Sequence, residues 1–137
     1  MNTFIDTAAF LAVLNASDQF HSSARQIWHE ILSADSLLFS SNYVILETIT
    51  LLQHRFGMEA VRLFESEVLP AIEVIWVDEA MHKQGLSALL VSNRRSLSLV
   101  DCTSFEIMRQ LGLGEIFTYD PHFREKGFTV IPSLGTA

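Results

Sequence analysis

Short apolar segments alternate with longer amphipathic segments along this chain, and no other feature limits its fold as strongly. Each apolar segment is only three or four residues long, which is typical of a strand buried inside a sheet. The five segments are Thr3-Phe4-Ile5, Leu37-Leu38-Phe39, Val74-Ile75-Trp76-Val77, Ile116-Phe117-Thr118-Tyr119 and Phe128-Thr129-Val130-Ile131. Strands that alternate with helices favour a parallel sheet with helices on both faces. The sequence therefore predicts an α/β fold with a mainly parallel sheet of four to five strands.

The segments between these strands carry apolar residues at spacings of three and four, which place them on one face of a helix. Gly57 and Gly112 follow two of the segments, at positions where a glycine commonly ends a helix. Helices are predicted over residues 8–14, 20–31, 43–55, 60–68, 79–91 and 101–111. No repeat or linker interrupts the 137 residues, so we expect a single domain over residues 1–137.

The composition excludes several classes of protein. Hydrophobic residues make up 49% of the chain and charged residues only 18%, which excludes a disordered chain. The longest apolar run, residues 8–14, is far shorter than the roughly 20 residues of a membrane-spanning helix. The N-terminus has no basic region typical of a secretory signal, and the single Cys102 cannot form an internal disulfide. We therefore expect a cytoplasmic protein without a membrane segment.

Two acids directly follow predicted strands. Asp6 follows the first strand, and Asp120 follows the fourth strand and precedes Pro121. In an open parallel sheet the carboxyl ends of the strands face the ligand crevice, so both carboxylates are candidates for a site there. Strand alternation places Thr118 on the same side as Asp120. The structural alternatives are a helix cap for Asp6 and an Asp-Pro turn for Asp120.

Two further acids lie at unusual helical positions. Glu47 is the only acid in the apolar segment 43–52, with Val44 and Leu51 as neighbours at i−3 and i+4. A carboxylate on an apolar face is costly unless it is paired or binds a metal ion, although Glu47 could also reach solvent at a helix edge. Asp101 stands at the start of the helix predicted over 101–111, where it is either an N-cap or a ligand.

Together these four positions suggest one carboxylate cluster. Crowded carboxylates raise one another's pKa unless a cation neutralises them, and hard oxygen ligands favour Mg²⁺ or Mn²⁺ over zinc. Such ions bind phosphate oxygens, activate water and stabilise a leaving oxygen. The net charge of −7 argues at first against nucleic acid, because phosphate-binding proteins usually present a basic patch. Bound divalent ions would offset part of that charge, so the acids are compatible with a phosphodiester site.

Four blocks of sequence surround these acids. The blocks are Phe4-Ile5-Asp6-Thr7, Asn42-Tyr43-Val44-Ile45-Leu46-Glu47, Leu97-Ser98-Leu99-Val100-Asp101-Cys102-Thr103-Ser104-Phe105, and Phe117-Thr118-Tyr119-Asp120-Pro121-His122-Phe123 with Gly127-Phe128. They resemble the PIN-domain family of metal-dependent ribonucleases, and most of all the VapC-like toxins of toxin–antitoxin pairs. The last two blocks, in this order, are the more specific ones, and the resemblance covers nearly the whole chain.

The resemblance implies a three-layer α/β/α sandwich and an endoribonuclease that hydrolyses RNA phosphodiester bonds with Mg²⁺ or Mn²⁺. The implied metal ligands are Asp6, Glu47, Asp101 and Asp120. Hydroxyl groups that would position water or a ligand around them are those of Thr7, Thr103, Ser104 and Thr118. Asp6 and Asp101 are the first choices for direct ligands, and water would attack in line without a covalent enzyme intermediate. The implied partners are RNA, a small antitoxin protein and a second copy of the chain.

Other positions have two interpretations. Arg94, Arg95 and Arg124 could steer RNA phosphates, or could form an ordinary solvated surface. Pro121 departs from the basic residue that many relatives carry, and His122 could serve either the site or a turn. The chain lacks the Asp-x-Asp of haloacid-dehalogenase phosphatases and the glycine pattern of nucleotide-binding loops. The alternative function is a PIN-like domain that binds RNA or a protein without cleaving RNA.

Overall fold

The computed structural model describes residues 2–133, which form a five-stranded sheet flanked by helices. The strands are β1 (Thr3–Ile5), β2 (Leu38–Ser41), β3 (Ile72–Ile75), β4 (Glu115–Phe117) and β5 (Thr129–Ile131). They lie in the order β3-β2-β1-β4-β5, and every neighbouring pair is parallel. The predicted α/β class with a mainly parallel sheet is therefore confirmed.

Seven α-helices connect the strands within residues 2–133. They are α1 (Thr7–Leu14), α2 (His21–Ser33), α3 (Asn42–Phe56), α4 (Met58–Leu63), α5 (Glu79–Ser92), α6 (Leu99–Leu111) and α7 (His122–Glu125). Gly57 ends α3 and Gly112 ends α6. Each has a positive φ, which residues with a side chain rarely adopt. Among these helices, none combines the length and the hydropathy that a membrane span requires.

The order of the strands determines which face each helix covers. The chain passes from β1 to β2 and from β2 to β3 in one direction, and then returns to β4 on the other side of β1. Because parallel crossovers are right-handed, this reversal places α5 and α6 on the face opposite α1–α4. Phe10 packs on Phe64 and Phe105 packs on Phe123, with ring centroids 5.1 and 4.9 Å apart. The result is the expected α/β/α sandwich.

The boundaries of β2 show why the strands differ from their predicted limits. The strand was predicted over 37–39, but it continues through Ser40 and Ser41, which pair with Val74 and Ile75 of β3. The Ser40 hydroxyl donates a hydrogen bond of 2.9 Å to the carbonyl of Ile5. A small polar side chain is satisfied in this way inside the sheet, and an apolar pattern does not detect it. For the same reason of pairing, β3 begins at residue 72 rather than 74.

Two helical predictions also need correction. The helix predicted over 60–68 is divided, because α4 ends at Leu63 and a π-helical turn (Phe64–Val68) and a 3-10 turn (Leu69–Ala71) follow it. α6 begins at Leu99, so Asp101 lies in its first turn and Ser98 is the N-cap.

All the strands of residues 2–133 belong to one sheet. The single-domain prediction also covers residues 1 and 134–137, which lie outside the described residues.

Candidate active site

The strand order creates a crevice at the carboxyl ends of β1 and β4. β1 connects onward to β2 on one side, whereas β4 lies on its other side and connects onward to β5. In doubly wound sheets, ligands bind outside the carboxyl ends of strands where the order reverses in this way. Asp6 directly follows β1, and Thr118 and Asp120 follow the adjacent β4. The structure thus brings the two strand-end acids to the same crevice.

Asp6 is both a helix cap and a buried acid of the crevice. Its side chain is only 6% exposed, and its Oδ1 accepts a hydrogen bond of 3.2 Å from the backbone N–H of Ala9, which caps α1. Its Oδ2 accepts a hydrogen bond of 2.6 Å from the Thr118 hydroxyl. The two interpretations of Asp6 are compatible, because each carboxylate oxygen retains a second lone pair.

Thr118 connects Asp6 to Asp120. While its hydroxyl donates to Asp6, the same oxygen accepts a hydrogen bond of 2.9 Å from the backbone N–H of Asp120. Asp120 Oδ1 in turn accepts the backbone N–H of His122 at 2.9 Å, which is the Asp-Pro turn expected as an alternative. The turn fixes the direction of the Asp120 carboxylate beside Asp6, so it contributes to the arrangement of the acids.

Asp101 is held by a capping box at the start of α6. The Ser98 side chain accepts the backbone N–H of Asp101 at 3.0 Å, and Asp101 Oδ2 accepts the backbone N–H of Ser98 at 3.1 Å. Among the described residues, this hydrogen bond involves only one of the two carboxylate oxygens of Asp101. Oxygen or nitrogen atoms of Asp101, Asp120 and His122 all lie within 4.8 Å of one another, close enough to share one ion.

Glu47 lies at the border of the crevice. It is half-buried in α3, and it lines a groove with Tyr43, His82 and Val100 among its neighbours. The expectation of a carboxylate surrounded by apolar side chains is only partly met, because this face of α3 meets the open groove. The charge of Glu47 nevertheless contributes to raising the pKa of Asp101, so Glu47 is electrostatically part of the cluster.

The electrostatics of the crevice favour a bound cation. Burial raises the pKa of Asp6 from 3.8 to about 7, against the hydrogen bonds from Thr118 and Ala9 and with added repulsion from Asp120 and Asp101. Burial likewise raises the pKa of Asp101, and repulsion from Asp120 adds to the effect. Within residues 2–133, no lysine or arginine forms an ion pair with any of the four acids. Carboxylate oxygens that lack a cationic partner suit a hard divalent cation.

The hydroxyl groups predicted around the metal have different surroundings. Only Thr118 contacts one of the four carboxylates through the hydrogen bonds of the described residues. The Thr7 hydroxyl lies 3.5 Å from the Val44 carbonyl, and the Ser104 hydroxyl donates to the Val100 carbonyl at 2.8 Å. The Thr103 hydroxyl packs against α5 at Gly85, where a Cβ atom would lie 2.2 Å from it. Thr103 therefore faces the contact between α5 and α6.

Of the predicted basic residues, Arg94 and Arg95 lie in the loop before α6, and Arg124 lies on α7. Arg94 Nη1 forms an ion pair of 3.0 Å with Glu125, which links the loop to α7. Arg95 is exposed and Arg124 is half-buried. Contact of these three arginines with RNA stays a prediction.

Two further features were not resolved by sequence reasoning. His122 Nδ1 lies 2.7 Å from Asp120 Oδ1, so this histidine belongs to the acidic cluster. The sequence Asp120-Pro121-His122 predicts this contact only if the chain is known to turn at Pro121. The Tyr43 hydroxyl contacts His82 Nδ1 across the groove beside Glu47, and no local signal connects two residues so far apart in sequence.

The fold is that of a PIN domain. Residues 3–129 match the PIN domain family, and the chain belongs to it. The chain is similar to the 23S rRNA-specific endonuclease VapC20 of Mycobacterium tuberculosis, with 32% identity over 129 residues that cover 93% of this chain and 96% of VapC20. The resemblance drawn from the four sequence blocks is therefore confirmed.

Solved structures and a second curated protein agree with this assignment. The crystal structure of Mycobacterium tuberculosis VapC20, described as a Sarcin-Ricin loop cleaving toxin, matches with a TM-score of 0.83 and 31% identity over 93% of this chain and 96% of that chain. A VapC ribonuclease of Aquifex aeolicus is 21% identical over 131 residues, which cover 93% of each chain. FitAcB of Neisseria gonorrhoeae has a TM-score of 0.67 at 16% identity, covers 95% of this chain and 96% of that chain, and shows the shared fold.

Proposed function

We propose that the protein is an endoribonuclease that uses Mg²⁺ or Mn²⁺ to hydrolyse RNA phosphodiester bonds. The observation that carries the proposal is the position of Asp6, which is buried at the reversal of the strand order beside Asp101 and Asp120. Membership of the PIN-domain family and the similarity to VapC20, whose name describes a 23S rRNA endonuclease, support the same activity. The net charge of −7 does not oppose it, because the acids of the crevice would be neutralised by the cation.

Each acid has a proposed role in the site. Asp6 and Asp101 would be the direct ligands of a divalent cation, Glu47 would complete the ligand set or orient a water molecule, and Asp120, which follows β4, would face the same site. Thr118 links Asp6 to Asp120, since its hydroxyl donates to the Asp6 carboxylate and accepts the backbone N–H of Asp120. A bound divalent cation supplies an activated water and stabilises negative charge on the leaving oxygen. Cys102 is buried at 2% exposure, so attack by water is favoured over attack by this thiol.

The partners follow from the proposed activity and from the similar proteins. We propose RNA as the substrate, a small antitoxin as the inhibitor and a second copy of the chain as a partner. We also propose that the protein acts in the cytoplasm. The VapC20 relative makes 23S rRNA the first substrate to test. The alternative is a PIN domain that binds RNA or protein without cleavage, and the intact set of four acids argues against it.

The decisive experiment incubates the purified protein with 23S rRNA and with a mixed RNA pool. We expect cleavage in Mg²⁺ or Mn²⁺ that EDTA stops, and sequencing of the new RNA ends would identify the cleaved bond. The Asp6→Asn variant removes a proposed ligand, and the Glu115→Gln variant is its matched control at the other end of the same strand pair. Metal-independent RNA binding without cleavage would support the alternative function instead.

A further inference from the structure

His122 is the residue of the crevice whose surroundings the proposed function does not explain. It is the first residue of α7, directly after the turn that Asp120 and Pro121 form. Its side chain is 18% exposed, and its Nδ1 atom is buried. A buried polar atom ordinarily has a hydrogen-bond partner, and leaving one without a partner costs about 1–3 kcal/mol.

The contact between His122 and Asp120 does not supply that partner. Nδ1 lies 2.7 Å from Asp120 Oδ1, yet the two atoms lack the geometry of a hydrogen bond. Asp120 Oδ1 already accepts the backbone N–H of His122 at 2.9 Å. The ring nitrogen and the carboxylate oxygen therefore sit side by side. With the imidazole proton on Nε2, Nδ1 and Oδ1 both present lone pairs and repel at this distance, and a cation bound between them would remove that repulsion.

The distances are close to those between ligands of one ion. Donor atoms at neighbouring positions of an octahedral ion, with bonds of about 2.1 Å, lie roughly 3 Å apart, and opposite donors lie roughly 4.2 Å apart. The pair of His122 and Asp120 is at 2.7 Å, and donor atoms of Asp101 complete a group within 4.8 Å. Small adjustments would bring these three side chains around a single cation.

We propose that His122 Nδ1 is a direct ligand of the divalent cation held by Asp101 and Asp120, and that it shifts the preference of the site from Mg²⁺ towards Mn²⁺. Mg²⁺ is bound by oxygen atoms, whereas imidazole nitrogen is a ligand of transition metals. Mn²⁺ accepts both carboxylate and nitrogen ligands, so a single histidine among acids separates the two ions. This inference rests on the proposed metal site, and it does not depend on which RNA is cleaved.

The test measures the metal directly. Electron spin echo spectroscopy of the Mn²⁺-loaded protein should show coupling to a directly bound nitrogen. The coupling should disappear in His122→Ala and persist in His29→Ala, whose histidine is exposed on α2. Calorimetric titration should give a Mn²⁺ affinity that falls about tenfold or more in His122→Ala, with a clearly smaller loss for Mg²⁺. A His122→Asn variant and thermal melts of all variants separate loss of the ligand from loss of the fold.

The possible outcomes separate this inference from the proposed function. Nitrogen coupling without RNA cleavage would uphold His122 as a ligand and overturn the ribonuclease. Cleavage by a Mn²⁺-loaded protein without nitrogen coupling would overturn the ligand and leave the ribonuclease standing. Equal losses of Mn²⁺ and Mg²⁺ affinity in His122→Ala would also overturn it, because they would indicate that His122 only orients Asp120.

Discussion

The pair of strands β1 and β4 carries a threonine–carboxylate hydrogen bond at each end. At the amino end, the Thr3 hydroxyl of β1 donates to Glu115 Oε1 of β4 at 2.7 Å. At the carboxyl end the roles are exchanged, and the Thr118 hydroxyl after β4 donates to Asp6 Oδ2 after β1 at 2.6 Å. Both contacts bridge the same two strands, yet only one of them belongs to a candidate site.

The surroundings of the two carboxylates make the difference. Glu115 is half-buried beside a cavity whose lining includes Asn2, Leu113 and Thr129 and, among the described residues, no second acid. Asp6 is buried, and the charges of Asp120 and Asp101 help to raise its pKa to about 7. A hydrogen bond from a threonine to a carboxylate therefore only joins the two strands when no other acid lies nearby. Convergence of several acids at the carboxyl end of the sheet makes the second of these contacts part of the proposed cation site.

The largest expected effect is on RNA cleavage. Asp6→Asn removes a proposed ligand without changing the shape of the side chain, and a metal ion supplies several kcal/mol of transition-state stabilisation. We expect the cleavage rate to fall by roughly 10³ or more. Asp101→Asn should have a comparable effect, whereas Glu115→Gln should stay within about twofold of the wild type. Full activity of either aspartate variant, measured by initial rates on the same RNA, would contradict the proposed site.

The next effect is on the pH dependence of stability without metal. The folded protein retains the Asp6 proton up to about pH 7, whereas the unfolded chain releases it near its ordinary pKa of 3.8. The unfolded state therefore binds fewer protons in between. The free energy of unfolding should fall as the pH rises from about 4 to about 7 and be insensitive to Asp6 above that range. The fall attributable to Asp6 is of the order of 4 kcal/mol.

Urea unfolding in EDTA at several pH values between 5 and 8 measures this dependence. Because Asp6→Asn cannot lose a proton, the variant should gain stability relative to the wild type as the pH rises. Glu115→Gln should follow the wild type over the same range. Parallel pH profiles of the wild type and Asp6→Asn would contradict the prediction. They would show that another group compensates the charge of the buried carboxylate, so that its pKa is not raised.

The third effect is the stabilisation of the fold by the cation. A ligand that binds only the folded state at about 100 times its Kd raises the free energy of unfolding by about 2.7 kcal/mol. Thermal melts should therefore show a higher Tm in Mn²⁺ for the wild type and for Glu115→Gln. The increase should be absent or much smaller in Asp6→Asn. A rise in Tm that is equal in all three proteins would indicate a cation bound elsewhere.

The comparison also shows how much of the site the sequence could reveal. Asp6 and Asp120 could be assigned to one edge because acids that directly follow parallel strands share that edge whatever the strand order. The neighbourhood of β1 and β4 could not be predicted, because it depends on pairing between segments more than 100 residues apart. Without it, the contact between Thr118 and Asp6 is only one of several possible hydroxyl contacts.

The positions of side chains that contact a second helix or strand were the hardest to predict from the sequence. The family resemblance implies a Thr103 hydroxyl around the metal, whereas in the structure this hydroxyl lies against Gly85 of α5. Ser40 and Ser41 lie inside a strand because β3 pairs with them. His122 joins the cluster because Pro121 begins a short helix that carries the imidazole back to Asp120. Periodicity describes one element at a time, so contacts between elements are outside its reach.

The smallest expected effect concerns the two threonines. Thr118→Val keeps the shape of a side chain that is 1% exposed but removes the hydrogen bond that lowers the pKa of Asp6. The Asp6 carboxyl should then hold its proton to a higher pH, so a cation at pH 7 must displace a larger fraction of protons. We expect the Mn²⁺ affinity, measured by calorimetry at pH 7, to fall about tenfold. Thr3→Val removes the equivalent hydrogen bond from Glu115 and should cost about 1 kcal/mol of stability without changing the Mn²⁺ affinity. Equal affinities in the two variants would mean that Thr118, like Thr3, only joins the strands.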